Sequence, residues 1–181
     1  MTNKILPTPE QLRELLTYDP ETGKLFWKER NGVNHPAGCR DVKRWNSRHA
    51  GKEALTASNA GGYRYGNVMS TSLLAHRVAW AIMMAHWPNE EIDHINGVRD
   101  DNRWSNLRSA SRTENARNHK RVSGASYLKG VAPMGRSGKY QARIYSNGKL
   151  LYLGAYESEE SAHRAYLSAA NQLHGEFVRK E

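Results

Sequence analysis

The stretch "NHKRVSGASY", residues 118–127, does most to limit what this chain can build. It is basic and made of small or polar residues, a composition that favours a tether over a packed element. It divides the 181 residues into a longer and a shorter pattern, so each part has to close a small core of its own. The boundaries that follow are 1–119, a linker at 120–125, and 126–181. The linker is equally suited to be a solvated tether or to touch phosphates.

In the first part, "PTPEQLRELLTYD" reads as a short helix with Thr8 as N-cap, Pro9 at the first helical position, and Leu12, Leu15 and Leu16 on one face. "DPETGKLFWKER" reads as a turn and a strand. Residues 31–58 are rich in Gly, Asn, Arg and Lys with little periodicity, and are expected to form a long loop or basic flap. "GYRYGNVM" alternates like a strand, and "LLAHRVAWAIMMAHW" is a strongly apolar helix stopping before Pro88. Arg77 on that helix is open to two roles, a phosphate contact or a capping side chain.

In the second part, "GVAPM", "KYQARIYS" and "LLYLGAY" are strand-like runs separated by the turn signals "GRSGK" and "SNGK". "ESEESAHRAYLSAANQLHG" places Ala162, Ala165, Tyr166, Ala169, Ala170 and Leu173 at helical spacing, with Gly175 as the stop. A small sheet with one helix across its face is expected.

Charge points to the partner. Lys and Arg number 27 against 18 for Asp and Glu, a formal net charge of +9, which suits a polyanion, nucleic acid before an acidic membrane surface. No apolar run approaches the roughly 18 residues needed to span a bilayer, and the N-terminus lacks a signal-peptide core. A soluble, cytoplasmic protein without membrane partner is expected. Cys39 is the only cysteine, so no internal disulfide partner exists and a metal has to be held by His, Asn, Asp or Glu.

The chemistry concentrates in "EIDHINGVRDDNRWSNLRSASRTENARNHK", residues 91–120. Asp93 offers an oxygen ligand for a hard divalent cation beside His94, whose imidazole is suited to deprotonate water. If "EIDHI" is a strand, the two side chains diverge, and both serve one site only where the strand ends in a tight turn. "SRTENARNHK" should start a helix with Ser111 as cap and Glu114 as its capping-box partner, which puts Asn115 and His119 on one face. Taken singly, Asp93 and His94 would be turn or cap residues, Asn106 a turn residue, and Asn115 an exposed helix polar. A cation ligand beside an imidazole base supplies the parts for hydrolysing a phosphodiester.

The string "DHINGVRDDNRWSNLRSASRTENARN" resembles the HNH, or His-Me finger, endonucleases, particularly the phage homing type. "YDPETGKLFWKER", "LLAHRVAW" and "EIDHING", in this order, extend the resemblance over most of residues 12–119. It implies that Asp93 and Asn115 hold one divalent metal, with Mg²⁺ first and Mn²⁺ second. It also makes His94 the general base and Asn106 the residue that orients it. Asn115 stands where many members carry His, and His119 is a further candidate ligand.

In residues 126–178, "KGV", "GKYQARI", "YLGAYESEESAHRAY" and "AA" followed by "HG" resemble the Apetala-type, or ethylene-response-factor, DNA-binding domain. That resemblance implies a three-stranded antiparallel sheet in the major groove of double-stranded DNA, with the helix behind it. Strand alternation turns Tyr140, Ala142 and Ile144 to the helix and leaves Gln141, Arg143 and Tyr145 outward. Leu151 and Leu153 should pack inward, so that Tyr152 faces DNA. Arg136, Lys139, Arg143 and Lys149 are the candidates for phosphate and base contacts, with Arg143 for a guanine edge. The plant pattern's arginine run and tryptophan are missing from "KGVAPMGRSGK".

The expected fold class is α+β: a ββα-metal (His-Me finger) nuclease core plus a small three-stranded antiparallel sheet with one packed helix. The expected function is a metal-dependent DNA endonuclease, in the cytoplasm of a bacterial host if phage-encoded. The rival is a non-catalytic DNA-binding regulator that keeps the same scaffold.

Overall fold

The structure is a computed structural model that describes residues 6–31, 39–112, 114–115, 127–146 and 148–175, with the backbone alone for residues 39–41 and for Arg136. Among the described residues, helices and small antiparallel sheets make up a mixed α+β protein. The chain separates into two compact units, Met1–Ser111 and Arg112–Glu181. Residues 116–126, which contain His119 and the expected linker, lie outside the described residues.

The first unit opens with α1 (Pro9–Leu15), started by Thr8 and a reciprocal capping box with Gln11. The chain then passes directly into β1 (Leu16–Asp19), which pairs antiparallel with β2 (Lys24–Trp27). The turn between them carries Gly23 at φ +73°, where an added Cβ would sit 2.4 Å from the backbone of Asn102 and Arg103. Only glycine lets this turn approach the loop that carries the candidate site.

The expected loop or basic flap at 31–58 is corrected in its described part. It contains α2 (Cys39–His49), then β3 (Glu53–Ala54) beside β2, and β4 (Ala57–Ser58) beside β5 (Arg64–Val68). The helix escapes a search for apolar periodicity because Val42 and Trp45 are its principal apolar side chains in a run otherwise polar and basic.

β6 (Thr71–Leu74) pairs with β5 and leads without a loop into α3 (Ala75–Met84). The apolar run therefore starts as strand, with Leu73 and Leu74 in β6. The helix ends at Ala85 in the left-handed conformation, short of the expected limit at Pro88. Leu12, Leu16, Leu25, Val68, Val78 and Ile92 are among the buried side chains of one shared core. β7 (Glu91–His94) and β8 (Leu107–Ala110) form the two-stranded hairpin that follows, and Ile92 and Leu107 root it in that core.

The second unit orders β9 (Val131–Pro133), β10 (Tyr140–Ser146) and β11 (Lys149–Tyr156) as β11-β10-β9, all antiparallel. Helix α4 (Glu159–His174), capped by Ser158, packs on it through Ala162, Tyr166 and Ala170. Gly130 at φ +78° lets the start of β9 meet this helix, since a Cβ there would fall 2.0 Å from the Tyr166 ring. Ala142 and Ile144 face the core as alternation requires. Leu151 stands opposite the buried Ile144, on the expected inward side, but is 39% exposed. A bulge between Ala142 and Arg143 opposes them to Gly154 and Tyr152, so Leu153 is the extra residue and β11 is re-aimed there. Leu173 is also exposed.

Candidate active site

Asp93 and His94 end β7 and are both buried, at 4% and 3% exposure. Their side chains meet different partners, as alternation along a strand demands. Asp93 Oδ2 accepts from Arg108 Nε at 2.9 Å and from its terminal nitrogen at 2.7 Å. Arg108 stands directly opposite on β8, so the ion pair is a cross-strand neighbour fixed by register.

His94 points into a cluster of rings. His76 on α3 meets it edge-on with centroids 5.1 Å apart, and Tyr63 lies 5.8 Å from it and 5.2 Å from His76. Asn102 Oδ1 lies 3.1 Å from Nε2 of the ring. The amide oxygen suits the tautomer protonated at Nε2, which would donate to it. Burial is the largest influence on this imidazole and pushes its pKa below the ordinary value, against the upward pulls of Asn102, Asp93 and Asp101. Burial also drives His76 down to about 3, and its Nδ1 has no hydrogen-bond partner among the described residues.

The loop from Ile95 to Asn106 holds Asn102 in place. The Tyr18 hydroxyl, buried on β1, donates to the Asn102 carbonyl at 2.7 Å, and Trp104 N donates to Pro20 O at 2.9 Å. Asp101 accepts from Arg103 Nε at 2.8 Å and from Asn96 Nδ2 at 2.7 Å, and the Arg103 hydrogen bonds are the main cause of its carboxyl falling to about 2. Asn106 is placed differently from the role expected of it. Its Oδ1 accepts from Asn96 N at 2.9 Å and its Nδ2 donates to Asp101 O at 2.7 Å, so its amide braces the loop. The residue on the His94 ring is Asn102, four positions earlier in "DNRWSN". The only sequence signal for it was a second Asn in that string.

Residues 73–117 match a family model described as HNH endonuclease. The span runs from β6 through α3 and the β7–β8 hairpin, and it supports nuclease activity. No curated protein and no solved structure matches the chain. Within the matched segment, Arg77 donates to the carbonyls of Pro88 and Glu90 at 3.0 and 3.2 Å, tying α3 to the segment before β7. Asn115 is helical and half-buried and falls in the second unit. His119 lies outside the described residues.

Among the described residues no group of three or more His, Cys, Asp or Glu side chains gathers as a metal cage. The chemistry of the Asp93 carboxylate nevertheless fits a hard cation, because its donor is a charged oxygen. A single carboxylate suits an ion that keeps waters and takes substrate phosphate oxygens.

In the second unit, the candidate contact residues divide by environment. Tyr145 and Tyr152 are 63% and 59% exposed. Arg143 lies opposite Tyr152 in the register and is half-buried, as is Gln141, and Lys149 is exposed at the start of β11. Lys139 is paired with Glu157 at 2.6 Å, on the surface. Arg136 sits in the 3₁₀ turn Gly135–Ser137. No helix among the described residues is long and apolar enough to cross a membrane.

Proposed function

We propose that this chain is a metal-dependent DNA endonuclease of the HNH homing type, hydrolysing phosphodiester bonds at sites read by an Apetala-like C-terminal sheet. The observation that carries this reading is the state of His94: buried, depressed in pKa, hydrogen-bonded to Asn102 through Nε2, and next to Asp93 within the HNH-matching segment. A neutral ring held this way keeps Nδ1 as the base that takes a proton from the attacking water. Asn102 fixes the tautomer, and Tyr18 fixes Asn102, so the orientation of the base is tied to the core of the first unit.

Asp93 and Asn115 are the proposed ligands, with His119 as a third candidate and Mg²⁺ favoured over Mn²⁺ on donor hardness. When bound, the ion supplies charge stabilisation to the phosphate and its leaving oxygen. Arg108 donates twice to Asp93 Oδ2, which fixes the orientation of the carboxylate. The proposed substrate is double-stranded DNA, and the proposed setting is the cytoplasm, that of a bacterial host if the chain is phage-encoded. On the outward face of the second unit, Arg143, Gln141, Tyr145 and Tyr152 are the proposed base-reading side chains. Lys149, Arg136 and Lys139 are the proposed phosphate contacts.

The same Arg108 pair favours a second reading, a DNA-binding regulator, because it already neutralises the carboxylate. A plasmid-nicking assay decides between them. Conversion of supercoiled DNA in Mg²⁺ that stops with chelator supports the nuclease, and duplex binding without conversion supports the regulator.

A further inference from the structure

Helix α2 carries cations that neither the core nor the candidate site uses. Lys43, Arg44, Arg48 and His49 are exposed. The four ion pairs among the described residues are Lys24–Glu53, Arg103–Asp101, Arg108–Asp93 and Lys139–Glu157, so Lys43, Arg44 and Arg48 meet no carboxylate there. Arg44 and Arg48 are one turn apart on one face, where like charges repel and weaken an isolated helix. The C-terminal dipole accounts for Arg48 and His49, but Lys43 and Arg44 lie before the last turn and gain little from it.

The helix is also held with unusual care for a polar element. Asn46 accepts from Arg30 N and donates to Arg30 O, both at 2.9 Å, which locks α2 to the chain just beyond β2. Trp45 meets Trp27 edge-on at 5.6 Å and lies tilted against His49 at 5.0 Å. The Arg30 guanidinium lies 3.6 Å over the Trp45 ring. Arg44, Trp45, Arg48 and His49 line one open depression on the surface. With Val42 buried and Trp45 half-buried, the outward face has no apolar side chains to insert into a membrane. Long cationic side chains on a rigid base, without apolar area and without internal carboxylate partners, suit the phosphates of a nucleic-acid backbone.

We propose that α2 is a DNA-backbone contact, with Lys43, Arg44 and Arg48 binding duplex phosphates independently of base sequence. This rests on the reading of the chain as a DNA endonuclease and adds a contact region in the first unit to the sheet of the second.

The test uses the full-length protein and a duplex of unrelated sequence. In the variant Lys43→Gln/Arg44→Gln/Arg48→Gln, the slope of log affinity against log salt should become shallower by about two to three, because each phosphate contact contributes roughly 0.9. Circular dichroism checks that the variant folds. A second measurement needs no variant: acetylation of Lys43 in the wild type, read by mass spectrometry, should fall when duplex is added, while that of the Glu53-paired Lys24 should not. An unchanged salt slope in a folded variant, or Lys43 acetylated equally with and without duplex, would overturn the assignment. Wild-type protein that binds no duplex would instead sink the DNA reading itself, a failure separable from that of α2.

Discussion

The β7–β8 hairpin and the β10–β11 sheet are both antiparallel, yet they treat polar side chains in opposite ways. In the hairpin, Asp93 and His94 are buried, and each is fixed by a named partner. On the sheet, Tyr145 and Tyr152 stand in solvent, and Lys149 is exposed at the strand's end. A proton-transferring ring has to be held within hydrogen-bond reach of one atom, which requires neighbours that cannot move. A surface that reads DNA has to leave its donors unspent until the partner arrives. Burial with satisfied partners marks the first kind of region, and exposure on a rigid sheet marks the second.

The comparison breaks most visibly at His94. His94→Ala should leave duplex binding intact and lower cleavage by about 10² to 10⁴, the usual effect of losing a general base. Single-turnover cleavage of a bound duplex measures this, and wild-type rates in that variant would remove the ring from the mechanism.

The two asparagines sharpen it further. Asn102→Ala should slow cleavage by roughly 10- to 100-fold, because the His94 tautomer is no longer specified. Asn106→Ala takes two hydrogen bonds from the loop and should cost on the order of 1–3 kcal/mol in urea unfolding, with activity falling as a consequence of lost structure. If Asn106→Ala slowed cleavage with stability unchanged, its part in orienting the base would be direct after all.

Acid sets a smaller effect on the same cluster. His76 falls to about 3 in the folded protein against an ordinary value near 6.5. The unfolded chain therefore binds the extra proton between those values, and stability that is full above about pH 6.5 is lost as pH falls toward 3. The slope approaches about 1.4 kcal/mol per pH unit for this one group. His76→Phe should flatten the stability curve between pH 4 and 6. An unchanged curve would show that His76 is protonated or solvated in the folded state.

Much of this was legible in the sequence where the signal is local. Thr8 with Pro9 marked the first helix, "KYQARIYS" marked its buried and exposed faces, and the spacing of Asp93, His94 and Asn106 marked the hairpin and its loop. What escaped depended on contacts between distant residues. The role of Asn102 is decided by Tyr18, 84 residues away, which fixes its backbone. His76 becomes part of the site only because α3 lays it against the end of β7. Helix α2 was hidden because its stability rests on Trp27, Arg30 and Asn46 rather than on an apolar stripe. Leu151 keeps the inward side, opposite the buried Ile144, but at 39% exposure it is little covered, which alternation alone does not report.

The subtlest difference lies within the sheet. Arg143 sits in mid-strand opposite Tyr152, where the flat tyrosine can flank its guanidinium, while Lys149 begins β11 at the turn. A bidentate contact to a guanine edge discriminates between bases by about 1–3 kcal/mol, whereas a lysine on a phosphate acts on every sequence alike. Arg143→Ala should therefore relax preference at one position of the target. Lys149→Ala should weaken cognate and scrambled duplexes equally and make the salt slope shallower by about one. Titrations of both duplexes at several salt concentrations separate the two. Arg143 is only half-buried, so its truncation leaves no buried charge unpaired and the folded sheet should persist. If Arg143→Ala changed the salt slope but not the sequence preference, the sheet would act as a charged clamp, and its contrast with the hairpin would be one of burial alone.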